Sequence, residues 1–277
     1  MQTSSPVYER LKDGLYTSFI GKQVITYKCI SSTQDMAISL TEREKENVHG
    51  LVVIAETQKK GRGRMNREWI SPYGGIWLSM VICEPKIQAS NIGLLPLVAA
   101  LAVCETIEEK TGLICKLKWP NDVLINGKKV SGILLDAATE HGRLVYAIIG
   151  IGINANIDSI KTTSASSNKE ECMTITSLKK ELSGKSVNRK RFTQMLLERF
   201  EKGYIKFEKH SLEVTLNKLR EKLDIIGSWI TVNHLDVSFS GLAIDIDHSG
   251  CLLVKTHANF IKKVFSDNVS VRKMPFL

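Results

Sequence analysis

From residue 24 onward the chain alternates between short runs rich in β-branched and aliphatic residues, at 24–29, 51–57, 76–83 and 113–119, and stretches of helical spacing. The longest helical pattern covers 92–110. There Leu94, Leu95, Leu97, Val98, Leu101, Ala102 and Ile107 make a broad apolar face, with Glu105, Glu108 and Glu109 opposite. Two strand-like runs follow at 129–136 and 144–153, and the polar Glu140-His141-Gly142-Arg143 between them predicts an antiparallel hairpin. Residues 156–171 are Ser, Thr, Asn and Lys with almost no apolar content, which reads as a surface loop. Helical spacing resumes at 189–210, through Phe192, Met195, Leu196, Phe200 and Phe207, and again at 212–223. Short strands at 229–232, 238–246, 251–256 and 269–271, with Gly241 and Gly250 at turns, predict a small β-barrel of about the size of an SH3 module.

The predicted fold class is therefore α+β: a mixed-sheet domain over 23–224 and a small barrel over 225–277, preceded by an extension over 1–22. The extension has room for one short helix near 8–16, too little for the three helices of a helix-turn-helix unit, so no separate DNA-binding domain is expected there.

Composition narrows the class. With 43% hydrophobic and 24% charged residues the chain has the balance of a folded globular protein. Its apolar stretches read as too short to span a bilayer, and no signal-like apolar segment opens it; no membrane partner and a cytoplasmic location are expected. The six cysteines form no C-x-x-C pair and sit mostly in apolar segments, as inert thiols in a reducing compartment would. A formal charge of +9 favours acidic partners or phosphates. The basic residues are dispersed and aromatics are only 6%, so a nucleic-acid partner is not expected.

Four segments carry candidate chemistry. Gln58-Lys59-Lys60-Gly61-Arg62-Gly63-Arg64-Met65-Asn66-Arg67-Glu68-Trp69 combines two glycines, which let backbone approach a ligand, with three arginines expected to converge on an anion. Lys118-Trp119-Pro120-Asn121-Asp122 places two polar side chains at a turn, and Lys129 opens the following strand, with Gly132 three residues on. Gly150-Ile151-Gly152-Ile153-Asn154 echoes a dinucleotide fingerprint but lacks its third glycine and ends an antiparallel strand. Ser31-Ser32-Thr33-Gln34-Asp35 reads as a helix cap. Taken singly, these are an ordinary basic loop, an ordinary turn and an ordinary cap.

Taken together and in this order, they resemble the biotin protein ligases, strongly over residues 24–156 and weakly in the C-terminal barrel. The resemblance implies a catalytic domain related to lipoate ligases with an SH3-like C-terminal domain. It implies that biotin is activated by Mg2+-ATP to biotinyl-5′-AMP and passed to a lysine of a biotin carboxyl carrier domain, with a homodimer as the possible assembly. By motif, Ser32, Thr33, Gln34, Gln58, Gly61, Arg62, Gly63, Arg64, Lys129 and Gly132 would serve biotin. Arg67, Trp69, Asn121, Asp122 and Asn154 would serve the nucleotide, with the magnesium ligands unassigned. Lys129, Arg62 and Arg64 are the expected catalytic residues, since both steps build up negative charge. A lipoate or octanoate ligase on the same fold is the nearest alternative.

Overall fold

The computed structural model describes residues 6–44, 48–158, 174–209, 212–234, 237–267 and 269–274. Seven strands form one mixed sheet: β1 (Val24–Ile30), β2 (Val52–Gln58), β3 (Ile76–Cys83), β4 (Cys115–Lys118), β5 (Asp122–Ile125), β6 (Lys128–Glu140) and β7 (Arg143–Ile153), in the order β1-β2-β3-β7-β6-β5-β4. Only β1 and β2 run parallel, joined by α1 (Thr33–Glu44); every other pair is antiparallel.

Both faces of the sheet are covered, which explains the continuous apolar runs. Val52 and Ile54 of β2 join the larger core, while Val53 and Ala55 join a smaller cluster with Ala37 of α1. The larger core is built on α2 (Leu95–Thr111), α4 (Arg189–Glu208) and α5 (Glu213–Lys222); a short α3 (Leu178–Glu181) precedes α4. Pro96 in the first turn of α2 and the left-handed Gly112 just beyond it mark its two ends. Together with the 3-10 turns before it, Ala89–Thr111 is in fact long and apolar enough to cross a membrane, contrary to the expectation from sequence; 72% of its most apolar window is buried inside the protein.

The expected hairpin is β6–β7, turned by His141 and Gly142, both left-handed (φ 48° and 77°) as a primed turn requires. The structure adds β5, four residues that the Pro-Asn-Asp turn signal hides. Residues 159–171 of the predicted polar loop lie outside the described residues. Among its described residues the N-terminal segment holds only a 3-10 turn at Pro6–Tyr8 in place of the expected helix, yet it is part of the core: Tyr8, Leu11 and Ile20 are buried. Glu201 of α4 accepts from the N–H groups of Phe19 and Ile20 at 2.8 Å each.

The C-terminal strands β8 (Trp229–His234), β9 (Val237–Ile246), β10 (Leu252–Thr256), β11 (Ile261–Val264) and β12 (Val269–Lys273) form a separate five-stranded antiparallel sheet ordered β11-β10-β9-β8-β12, which fits an SH3-like module. It docks on the larger domain through Trp119, whose Nε1 donates to Gly250 O (3.0 Å), and through ion pairs Arg220–Asp245 (2.7 Å) and Lys273–Asp224 (3.3 Å). Gly250 is left-handed (φ 80°), and a Cβ there would come within 2.9 Å of the Leu94 backbone.

Candidate active site

A cleft of about 820 Å3 opens between the 62–70 loop, strands β6 and β7, the 118–122 turn and Val269–Arg272 of the C-terminal sheet. Its two ends differ in chemistry.

One end is mostly neutral and buried, with the half-buried Asp136 at its margin. Thr33, in the first turn of α1, donates from both its N–H (2.7 Å) and its hydroxyl (3.0 Å) to Gln58 Oε1. Its hydroxyl also meets that of Ser79, which donates to Gln34 Oε1 (2.8 Å). Gln34 Nε2 in turn donates to Asp136 Oδ2 (2.9 Å) and Ile148 O (3.1 Å). Space for this network comes from β7: a Cβ on Gly150 would sit 2.5 Å from Gln34 Oε1. The next glycine in register does the same for an aromatic ring. Gly132 and Gly152 face each other across β6–β7, and Cβ atoms on them would lie 2.9 and 2.5 Å from the Trp69 indole. Trp69 Nε1 is buried there without a hydrogen-bond partner among the described residues, which leaves a donor for a ligand acceptor.

The other end is charged. Lys129 is fixed by its backbone, which exchanges bonds with Thr174 O (2.8 Å) and Thr176 N–H (2.9 Å). Its ammonium lies 2.6 Å from Asp122 and 5.0 Å from the centre of the Trp69 ring. Asn121 holds the turn beside it by exchanging bonds with Ile133, 2.7 Å from its Nδ2 and 2.9 Å to its carbonyl, after a cis Trp119–Pro120 bond. Asn154 donates to Thr176 O (3.0 Å), tying the end of β7 to the segment that holds Lys129.

The arginine loop is shaped by its own return. Gly61 is required because a Cβ would meet Trp69 O at 2.3 Å and Ser71 Oγ at 2.6 Å. Gly63 N–H donates to Arg67 O (2.8 Å), and the turn is made by Met65 and Asn66 in the left-handed region. The three arginines do not converge as expected from sequence. Arg62 pairs with Asp35 (2.9 Å) and Asp136 (3.3 Å). Arg64 donates to Asn121 Oδ1 (3.1 Å) and to the carbonyls of Ser266 and Val269 in the C-terminal module. Burial pulls the Arg64 guanidinium below its ordinary value, Asp122 and Asp267 oppose this, and Arg67 adds to it.

Thr33, Gln34, Gln58, Arg62, Gly63, Arg64, Arg67, Trp69, Asn121, Asp122, Lys129, Gly132 and Asn154 all line the cleft. Ser32 and Gly61 do not. Ser32 caps α1, its Oγ accepting from Asp35 N–H (3.2 Å), and Gly61 packs beneath the loop. Ser79 and Asp136, single polar residues in ordinary strand patterns, carry no signal in the sequence, nor do Val269–Arg272, which reach the cleft from far along the chain; Asp35 reads there only as part of a helix cap. Among the described residues no group of three or more His, Cys, Asp or Glu side chains could hold a metal ion.

A neutral recognition pocket that runs into a bed of fixed cations is the layout of an enzyme that joins a small carboxylic acid to a nucleotide. Residues 26–154 match the model of the biotin/lipoate A/B protein ligase family. The chain is 35% identical over 263 residues to the bifunctional ligase/repressor BirA of Bacillus subtilis, covering 94% of this chain and 78% of that protein. It is 40% identical over 104 residues to the biotin--[acetyl-CoA-carboxylase] ligase of Paracoccus denitrificans, 37% of this chain and 43% of that one. The structure of the biotin protein ligase of Aquifex aeolicus in complex with biotin and ATP superposes with a TM-score of 0.75 at 32% identity, over 91% of this chain and all of that one. This chain belongs to the biotin protein ligase family.

Proposed function

We infer that the cleft performs both half-reactions of protein biotinylation: ATP-dependent activation of biotin to biotinyl-5′-AMP, then transfer of biotin to a lysine of a biotin carboxyl carrier domain. The observation that carries this reading is the continuity of the neutral network (Thr33, Gln34, Gln58, Ser79) with the Lys129–Asp122 pair inside one cavity. A urea-like ring needs neutral donors and acceptors at one end, and a carboxylate meeting an α-phosphate needs cations at the other.

In this reading the network around Gln34 takes the ureido ring and Trp69 lies along the bicycle over Gly132 and Gly152. Lys129 keeps its hold on Asp122 and turns its remaining donors to the biotin carboxylate and the α-phosphate, so that the carboxylate oxygen attacks phosphorus and pyrophosphate leaves. Arg62 and Arg64 exchange protein acceptors for substrate oxygens, and the C-terminal Val269–Arg272 borders the nucleotide. Magnesium bound with ATP would offset phosphate charge beside Asp122, Asn121 and Asn154. The acceptor lysine, as the free amine, then attacks the mixed anhydride and expels AMP. Beyond Ile133, which Asn121 holds, the edge of β6 has no β5 partner among the described residues and is open to strand pairing, in a homodimer or with the acceptor. The exposed thiol of Cys29, which is in no disulfide, suits the cytoplasm.

Incubating the purified protein with biotin, ATP and magnesium and identifying the retained product by mass spectrometry tests the reading. Bound biotinyl-AMP is expected. Retention of a lipoyl or octanoyl adenylate in its place would move the enzyme to the sister branch, which the neutral network does not favour, since a dithiolane or alkyl chain offers it no partner.

A further inference from the structure

The stem that returns the arginine loop to the sheet, residues 71–75, is held by a cation that does not line the cleft. Arg189 opens α4 directly after its N-cap Asn188 and is only 7% exposed. Its Nη1 donates to Gly75 O (3.0 Å), and its Nη2 lies 3.9 Å from Glu56 Oε2, equally buried on β2. Two rings flank the guanidinium: Tyr73 of the stem at 4.8 Å and Tyr8 of the N-terminal segment at 5.8 Å.

Burying a guanidinium is costly, and an apolar side chain would fill the same space without that penalty. The charge must therefore be weighed by what it holds. Three carbonyls of the stem are gripped in succession: Pro72 O by Trp77 Nε1 (3.0 Å), Gly74 O by Asn156 N–H (2.8 Å), and Gly75 O by Arg189. Asn156 also exchanges two side-chain bonds with Val187, just ahead of α4 (2.9 and 2.8 Å). At its other end the stem enters the cleft, where Ser71 Oγ accepts from Gln58 Nε2 (2.8 Å) and donates to Trp69 O (2.9 Å). A continuous polar track thus runs from the first turn of α4 to the residue that lies on Gly132 and Gly152.

We propose that Arg189 is a positioning residue for biotin activation: by fixing Gly75 O and the Tyr73 ring it sets the stem from which Trp69 and the arginine loop close over biotin. This rests on reading the cleft as the biotin site. Arg189→Lys keeps the charge but loses the planar fork that can reach Gly75 O and Glu56 together. Tyr73→Ala removes a ring that is 64% exposed, and so tests the same stem without risk to folding.

Biotin-dependent pyrophosphate exchange is measured well below the melting temperature, with hydrogen exchange of residues 61–69 followed in the free and biotin-bound states. Arg189→Lys is expected to raise the KM for biotin about tenfold with kcat within about threefold, and Tyr73→Ala to raise it about threefold. In both, exchange over 61–69 should be faster than in the parent protein. An unchanged KM and unchanged loop exchange, with only a lower melting temperature, would overturn the proposal and leave Arg189 a stabiliser of α4. If Arg189→Lys does not fold, Tyr73→Ala decides alone. If the parent enzyme shows no biotin-dependent exchange, the biotin reading has failed, and the loop-exchange comparison in the free proteins still decides the positioning claim.

Discussion

The two ends of the cleft are built by opposite means. At the neutral end the side chains of Thr33, Gln58, Ser79 and Gln34 are bound to one another, and Gln34 to Asp136, which leaves Trp69 Nε1 as a buried donor without a partner among the described residues. Three glycines in β6 and β7 leave the space in which this network and the Trp69 indole sit. At the charged end the cations are parked on carboxylates and carbonyls, Lys129 on Asp122, Arg62 on Asp35 and Asp136, Arg64 on the C-terminal sheet. These contacts are exchangeable, and a phosphate or carboxylate that replaces them brings equivalent charge. On the proposed function, the neutral end would choose the acid and the charged end would lower the barrier.

The sharpest way to break that division is at Lys129. Lys129→Gln removes the charge at the reacting atoms while leaving a side chain of similar reach, and biotin-dependent pyrophosphate exchange should fall at least a hundredfold, about 3 kcal/mol of lost transition-state stabilisation. The binding of biotin alone, measured by calorimetry, should weaken much less. A loss confined to biotin affinity, with kcat intact, would mean that the lysine belongs to recognition rather than to chemistry.

The complementary change is Gly150→Ala, which drives a methyl group toward Gln34 Oε1 and disturbs only the neutral end. Biotin affinity should drop about thirtyfold, close to 2 kcal/mol, with the KM for ATP nearly unchanged. Gly152→Ala, against the Trp69 indole, should act in the same direction. Equal losses for both substrates would show that the two ends are not separable.

How far this was legible in the sequence follows the same line. Motifs that need an unusual residue in a fixed order, Gly-Arg-Gly-Arg before Trp69 or Lys129 before Gly132, stand out against any background. Ser79 does not, because one hydroxyl in the run Ile-Trp-Leu-Ser-Met-Val-Ile looks like a tolerated polar residue, and only its fully buried bond to Gln34 gives it meaning. The convergence of the three arginines was misread because sequence shows their charge but not the acceptors; Ser266 lies 202 residues from Arg64. The strand β11 escaped because most of its side chains are exposed, so burial left no imprint on its pattern.

That long-range contact gives the next test. Arg64→Ala removes the bond between the active-site loop and the carbonyls of Ser266 and Val269, so the C-terminal sheet should lose part of its hold on the cleft. The KM for ATP should rise about tenfold, roughly 1.4 kcal/mol, with a smaller change in biotin affinity. The opposite order would place Arg64 wholly at the carboxylate and deny the C-terminal module a part in nucleotide binding.

The smallest expected effect concerns how that module is kept in place. Asp247 accepts from Ser249 and Cys251 N–H groups (2.9 and 3.0 Å) and pairs with Lys263 (2.5 Å), which shapes the turn that presents Gly250 O to Trp119. Burial alone would raise its pKa, but the bonds from Lys263, Ser249 and Cys251 outweigh that and hold it below the ordinary aspartate value. A carboxyl depressed in the folded state adds stability that is complete above its unfolded pKa and is lost as pH falls through its folded one. The melting temperature of the parent protein should therefore decline on acidification from about pH 4 downward more steeply than that of Asp247→Asn, for which this component is absent. Because the same turn holds Trp119 at the cleft wall, Trp119 fluorescence should shift with the Asp247 titration in the parent and stay flat in the variant; parallel curves for the two proteins would remove Asp247 from any role in seating the module.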